Sequence, residues 1–510
     1  MKKVFLLMML LTLSMVLCAC KDNTEDNNKQ DSDSVSYGGE IVVGISQDLD
    51  SLDPHKAVAA GTKEVLYNIF EGLIKVDKDG NFVPAVAASY EITDGGLKYK
   101  FKLRDNVKFH NGKVVTADDV IYSLKRAAGK LETSDPEVVT VSAFSIISEI
   151  NKTDDGVEVV LSEPNTELIG FFTSSIIPND YDDQAKAPVG TGPFKFVSFE
   201  PLVSFVMAKN DDYYGEKAYL DKVTFKITSG GDSAFMELLA GSIDIFPYLT
   251  NEQAAQLEGK MDVLDGTMNL VQALFLNNAV KPFDDVRVRQ ALNYAVNRDE
   301  INQQLFGGKS PEIQTHGYPT ITAWYNADTE GTYTYDPDKA MELLKEAGYE
   351  NGFDLVITVP KNFTQHVDTA VLIKEQLAKV GINASVNEVE WNTWLSDVYQ
   401  GRDYQATVIG FDISSLSPAT WYVRYYSTSS NDMTNFSNAE YDAAYDQAVA
   451  SIDHEEKFQL YGKLQQILAE EGASVFIEDP ADFVAVSADF TGYTPYPVSA
   501  VDFSLIKPAQ

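Results

Sequence analysis

AVAASYEITDGGLKYKFKLRDNVKFHNGKVVTADDVIYSLKR, residues 85–126, sets out a strand, a turn and a capped helix in one legible order. Leu97, Tyr99, Phe101 and Leu103 alternate with Lys98, Lys100, Lys102 and Arg104, the period-2 pattern of a half-buried strand with a solvated basic face. Asn111-Gly112 marks a turn. Thr116 then stands at an N-cap position with Asp119 three residues on, and Ala117, Val120, Ile121, Leu124, Ala127 and Ala128 recur at helical spacing. The stretch predicts a strand that passes through a tight loop into an amphipathic helix.

Outward from there, strands and helices alternate along the chain. Ile41, Val42, Val43 and Ile45 read as a buried strand that runs into a loop over residues 56–62, and residues 157–161 read as another strand. VGTGPF, residues 189–194, lacks the Gly-Lys-Ser/Thr of a phosphate loop and loses a donor at Pro193, so it reads as a crossover turn. Ser233 is placed to cap a helix through Ala240 that Gly241 stops. Asp284 and Asp285 precede a helix with Val288, Ala291, Leu292, Ala295 and Val296 on one face, and Asp336-Pro337 opens another that ends at Gly348. Residues 353–359, 370–380 and 384–389 form a strand-helix-strand unit, and helices over 439–450 and 455–470 follow.

The run over residues 94–126 resembles the signature of the family 5 extracellular solute-binding proteins, the oligopeptide, dipeptide and nickel receptors of ABC importers. SLDPHKAVAAGTKEVLYNIFEGL, GTGPF, SIDIFPYLT and FLNNAVKPFDDVRVRQALNYAVNRDEI resemble further family motifs, so the likeness spans nearly the whole chain after its N-terminal segment. It implies an α/β, two-lobed periplasmic-binding-protein-like fold of the class II, cluster C type with an extra small α/β subdomain. The expected division is residues 37–76, 189–273 and 483–510 in lobe I, 77–188 in the small subdomain and 274–482 in lobe II, with the tail after 482 crossing back to the first lobe.

Composition and the N-terminus bear on address. With 76 acidic and 40 basic residues the net charge is −36, which makes nucleic acid a poor partner. Lys2 and Lys3 precede an apolar run to Leu17 that is too short for a membrane span, the pattern of an export signal over residues 1–19. Leu17-Cys18-Ala19-Cys20 resembles a lipobox, which implies that Cys20 is acylated and that the membrane is reached through this lipid alone. Residues 20–36 are polar and read as a tether spanning on the order of 20 Å. The expected location is the outer face of the cell membrane, or its periplasmic side in a two-membrane cell.

Little in the sequence proposes catalysis. The histidines at 55, 110, 316, 366 and 454 lack metal-ligand spacing, no nucleophile elbow is present, and no cofactor is implied. A secreted hydrolase remains the alternative of a different class. Binding is better supported, because Trp391, Trp394, Phe411, Trp421, Tyr422, Tyr425 and Tyr426 gather in one region, as large rings do around a small ligand, although each also suits a core.

The resemblance places Trp391 and Phe411 on the ligand cleft and gives it the backbone of Ala60, Gly61 and Thr62. Peptide receptors of the family typically read Trp-x-x-Asp-Tyr-x-Asp-Pro where this chain has GFDISSLSPATW, so the Asp that meets a peptide ammonium becomes Ser414 and the second Asp becomes Ser417. Asp412 is the candidate replacement. Arg424 is the nearest cation for a ligand carboxylate, with a salt bridge as its other reading. Expected partners are therefore a small solute, an oligopeptide by the resemblance, or an oligosaccharide or organic anion given the lost Asp, together with an ABC permease that receives it from a monomeric receptor.

Overall fold

The strand and helix of residues 85–126 form as their residues dictate. The computed structural model describes residues 37–509 apart from Gln47, residues 133–134, Asn362, residues 414–415 and Ser499; the signal segment, the tether, Cys20 and Ser414 lie outside the described residues. Strand Lys98–Leu103 buries Tyr99 and Phe101 and turns Lys100 and Lys102 to solvent. Helix Ala117–Ala127 opens on a reciprocal cap, in which the Asp119 N–H donates to Thr116 Oγ1 and the Thr116 N–H donates to the Asp119 carboxylate at 2.9 Å. Its Val120, Leu124 and Ala127 pack on an antiparallel sheet of four strands, in the order Ala87–Thr93, Lys98–Leu103, Gly156–Leu161 and Ile147–Lys152. Phe172, from the 3-10 turn Leu168–Thr173, closes that core with ring centroids 5.3 Å from Tyr99 and 4.7 Å from Phe101.

A second, seven-stranded sheet runs Asp262–Thr267, Ala481–Val486, Ile245–Leu249, Glu40–Ile45, Lys222–Ile227, Ser204–Lys209 and Phe194–Glu200. The turn that enters it at residues 189–194 needs its glycines for close approach: a Cβ on Gly190 would lie 2.1 Å from the Ile69 carbonyl oxygen, and one on Gly192 2.5 Å from that of Asn68. His110 holds the same turn, accepting from the Gly190 N–H at Nδ1 and bonding the Gly192 carbonyl through Nε2 at 3.0 Å. The helix expected behind a Ser233 cap starts earlier, as Gly231–Leu239, with no side-chain cap. Gly230, at φ +144°, makes that entry possible where a side chain would strain it.

The third sheet has five strands, in the order Asn383–Val389, Asp354–Pro360, Ala406–Asp412, Leu270–Leu276 and Ser474–Glu478. Parallel pairing of Asp354–Pro360 with Asn383–Val389 across helix Thr364–Ala378 gives the expected strand-helix-strand unit. The helix begins well before the apolar spacing suggests, because the polar His366 and Thr369 of its first turns are buried too. His366 Nδ1 meets Gln272 Nε2 at 2.7 Å and the Thr369 hydroxyl donates to Gln272 Oε1.

Only short links join the seven- and five-stranded sheets through these paired strands. Asp262–Thr267 passes through Met268 and Asn269 into Leu270–Leu276, and Ser474–Glu478 passes through Asp479 and Pro480 into Ala481–Val486. The two links lie side by side: the Met268 N–H donates to the Pro480 carbonyl at 2.9 Å, and the Leu270 N–H donates to the Asp479 carboxylate at 2.9 Å. After the second link the tail returns along the first helix, where Asn68 donates to the Val501 carbonyl and accepts from the Phe503 N–H.

Candidate functional site

Helix Ala60–Leu66 supplies one wall of a cavity of about 480 Å³ through Ala60, Lys63 and Leu66. Residues 60–62, expected to lie in a loop, are instead the first turn of this helix. Asp50 organises the approach to it, accepting from the N–H groups of Val58 and Ala59, while Thr62 Oγ1 accepts from the Asp50 N–H. Burial alone would raise the Asp50 pKa, and these hydrogen bonds outweigh it and lower it. Thr62 is fully buried by the same bonding, and of residues 60–62 only Ala60 lines the cavity.

The opposite wall belongs to the end of strand Ala406–Asp412, where Asp412, Ile413 and Leu416 face the same space. Val498, Ala500 and Asp502 of the tail and Gly170, Phe171 and Thr173 of the 3-10 turn complete it. The cavity is thus bordered by elements of all three large sheets, with an apolar body and a few charges, the composition of a small-solute site. Its cations are Lys63 and Lys75; its carboxylates are Glu71, Asp412 and Asp502. Glu71 is buried beside Lys75, accepts from the Tyr213 hydroxyl at 2.6 Å and from Thr191 Oγ1, and burial raises its pKa. Asp412, in contrast, is exposed, and its carboxylate has no hydrogen-bond or ion-pair partner among the described residues.

The remaining described candidates, Trp391, Trp394, Phe411, Trp421 and Arg424, do not line this cavity, and Trp391, Trp394 and Phe411 belong to one row of rings. Trp391 lies on Trp394 at 5.3 Å and 8° between planes, Tyr399 follows at 5.9 Å, and Phe411 lies 6.2 Å beyond it. Trp391 is 37% exposed, with Phe363 set edge-to-face to it at 5.4 Å, whereas Trp394 is buried and its indole N–H donates to Thr407 Oγ1 at 3.0 Å. Trp421 is also buried, edge-on to Tyr318 at 4.9 Å. Arg424 forms no salt bridge among the described residues; its guanidinium sits 4.0 Å over the Phe411 ring and donates to the Tyr399 hydroxyl. The polarised ring and hydroxyl take the place of the carboxylate partner that the salt-bridge reading expects.

Sequence reasoning missed Lys63, Lys75, Glu71 and Asp502. Lys63 and Glu71 lie inside the family-like stretch of residues 51–73 and Lys75 just after it, but nothing in their spacing marks these side chains as facing a cavity, and only the tail's alternation hinted that Asp502 returns to the first sheet. His55 also borders the cavity, but its Nε2 bonds the Ser175 carbonyl at 2.9 Å, and burial beside Arg126 lowers its pKa to about 4. It is a neutral structural ring at ordinary pH. Among the described residues no group of His, Cys, Asp and Glu has metal-holding geometry, and no helix is long and apolar enough to cross a membrane.

A cavity shared by lobes that two adjacent links connect is the architecture of a bilobal solute receptor. The family description "Bacterial extracellular solute-binding proteins, family 5 Middle" matches residues 81–433, and the chain belongs to this family of ABC-transporter receptors. It is similar to the dipeptide-binding protein of Escherichia coli, 28% identical over 467 residues covering 83% of this chain and 86% of that one. It is equally similar to heme-binding protein A of Haemophilus influenzae, 28% identical over 469 residues covering 84% and 85%. Among solved structures, the ABC-transporter-associated periplasmic binding protein DppA of Helicobacter pylori, in complex with the peptide STSA, superposes with a TM-score of 0.76 at 27% identity, covering 93% of this chain and 99% of that one. The chain is a solute-binding receptor and not an enzyme.

Proposed function

We propose that the chain is a lipid-anchored receptor that captures a short peptide between its lobes and presents it to an ABC permease. The observation that carries this reading is Asp412, a carboxylate on the cavity wall at the end of strand Ala406–Asp412 with no hydrogen-bond or ion-pair partner among the described residues. A peptide ammonium buried without a counter-charge would be disfavoured by several kcal/mol. Asp412 supplies that charge two residues before Ser414, while Lys63 and Lys75 offer cations for the carboxylate end. Leu66, Phe171 and Leu416 provide apolar contact, and the lobes close about the links at Met268-Asn269 and Asp479-Pro480, with the closed form favoured by ligand contacts to both walls. Acylated Cys20 holds the monomer at the membrane; a Cys20→Ser chain would be released from it.

Thermal shift tests the anchor. An equimolar mixture of di- to pentapeptides raises the melting temperature, the same mixture N-acetylated does not, and Asp412→Asn abolishes the difference. A second reading has its own support: Lys63 and Lys75 together suit an organic anion, and the rings of Tyr67, Phe82 and Phe171 on the cavity wall suit a sugar. No shift with any free peptide, alongside a shift with an oligosaccharide or dicarboxylate, would move the assignment to that class.

A further inference from the structure

One carboxylate stitches the two walls of the cavity together. Glu167 stands immediately before the 3-10 turn Leu168–Thr173, whose Gly170, Phe171 and Thr173 line the cavity from the side of the four-stranded sheet. Its side chain crosses to the elements that follow strand Ala406–Asp412. Oε2 accepts from the Ser417 hydroxyl at 2.5 Å and from the Ala419 N–H at 3.1 Å; Oε1 accepts from Lys457 Nζ at 2.6 Å and from the Tyr461 hydroxyl at 2.5 Å. Lys457 and Glu167 are 4% and 10% exposed at their side chains, so this is a desolvated ion pair with its remaining lone pairs satisfied.

The receiving helix, Pro418–Tyr422, has no side-chain cap of its own. Pro418 lacks an N–H, so the Ala419 N–H is the first donor of that helix, and Glu167 satisfies it from the facing wall. Leu416, next to this helix, lines the cavity. A carboxylate in place of Ser417 would meet Glu167 at hydrogen-bond distance and repel it, so the departure from the family pattern at Ser417 matches the presence of Glu167.

We propose that Glu167 is a closure latch and positioning residue: it caps the Pro418–Tyr422 helix in trans and neutralises Lys457 when the walls meet, so that closure and the placement of the ligand-facing segment are one event. The coupling to capture rests on the receptor reading above, but its test needs no ligand.

The test uses the full chain without added solute, with small-angle scattering for overall closure and hydrogen exchange for residues 416–422. Glu167→Gln keeps size and loses charge; it is expected to expand the radius of gyration by about 1 Å and to speed exchange at 416–422 roughly ten-fold or more. Ser417→Asp is expected to do the same, and Lys457→Met added to Glu167→Gln is expected to recover part of the compaction by removing the stranded charge. Exchange over residues 98–103 stays at the wild-type rate, which separates an opened cleft from a damaged fold. Unchanged scattering and unchanged exchange at 416–422 in Glu167→Gln would overturn the latch, whatever solute the receptor takes; Glu167→Ala gives the same two readouts if the Gln variant does not fold.

Discussion

Residues 85–126 and residues 406–425 solve opposite problems. In the first, the strand, the turn and the capped helix begin from local bonds such as the Thr116–Asp119 box, and remote ones, His110 to the 189–194 turn and Arg126 to Asp53, tie the finished unit to its surroundings. In the second, local bonds such as Thr420 Oγ1 to the Ser417 carbonyl are outnumbered at the strand end by remote ones. Tyr318, 93 residues away, donates to the Phe411 carbonyl, and Glu167, 250 residues away, accepts from Ser417. Gly410 is hemmed in by Leu270, whose Cδ2 would lie 1.8 Å from an added Cβ. A stretch whose elements start from local bonds can be read locally, whereas one that borders a shared cavity takes its form from the segments closing on it.

The largest effect expected from breaking this contrast is at Phe101. It is almost fully buried, packs on Phe172 at 4.7 Å, and is not itself one of the residues lining the cavity. Phe101→Ala should cost about 3–5 kcal/mol in urea unfolding, with the transfer and cavity contributions adding. Ligand affinity measured on the folded fraction should be unchanged. A loss of affinity at constant stability would mean that the building region also reads the ligand.

The links between the sheets give the next largest effect. Glu478 is buried, and burial, with Asp479 and Glu312 nearby, raises its pKa to about 8; burial likewise raises Asp479 to about 7. For an acid whose folded pKa exceeds its unfolded one, the folded state holds more protons, so its stabilising contribution is complete below the ordinary carboxylate pKa and is lost as pH rises toward 8. The melting temperature should therefore fall from pH 5 to pH 8, and Glu478→Gln should flatten that fall, by on the order of 2 kcal/mol across the interval. A variant with the wild-type slope would place the titration elsewhere.

Thr116→Ala should cost about 1 kcal/mol in chemical denaturation, since it removes the oxygen that accepts from the Asp119 N–H. Asp119 keeps Lys113 at 2.9 Å and the Asn179 N–H, which limits the loss. A cost near zero would mean that those remote bonds, and not the local box, hold the helix start.

These cases also explain what could be read from sequence. Alternation at Tyr99 and Phe101, the Thr116 and Asp336 caps and the strand-helix-strand unit were legible because spacing alone defines them. The start of helix Thr364–Ala378 was not, since His366 and Thr369 are polar by composition and buried only because Gln272 meets them. In the site, Asp412 was legible beside the departure at Ser414, while Asp502 and Lys75 enter from segments with no local signal. Rings mislead most: Trp391 and Trp394 are three residues apart, yet one is 37% exposed and the other buried on Thr407, a difference that a tertiary contact decides.

The smallest stability effect is expected where the functional effect is greatest. Asp412 is exposed and its carboxylate makes no hydrogen bond or ion pair among the described residues, so Asp412→Asn should change unfolding free energy by no more than about 0.5 kcal/mol. Facing the cavity, the same carboxylate is positioned to meet a ligand cation, and calorimetry of Asp412→Asn with a peptide that stabilises the wild type should show affinity weakened at least roughly ten-fold. The opposite pairing, a destabilised fold with intact binding, would put Asp412 in the same class as Phe101 and dissolve the contrast between a region that builds and a region that binds.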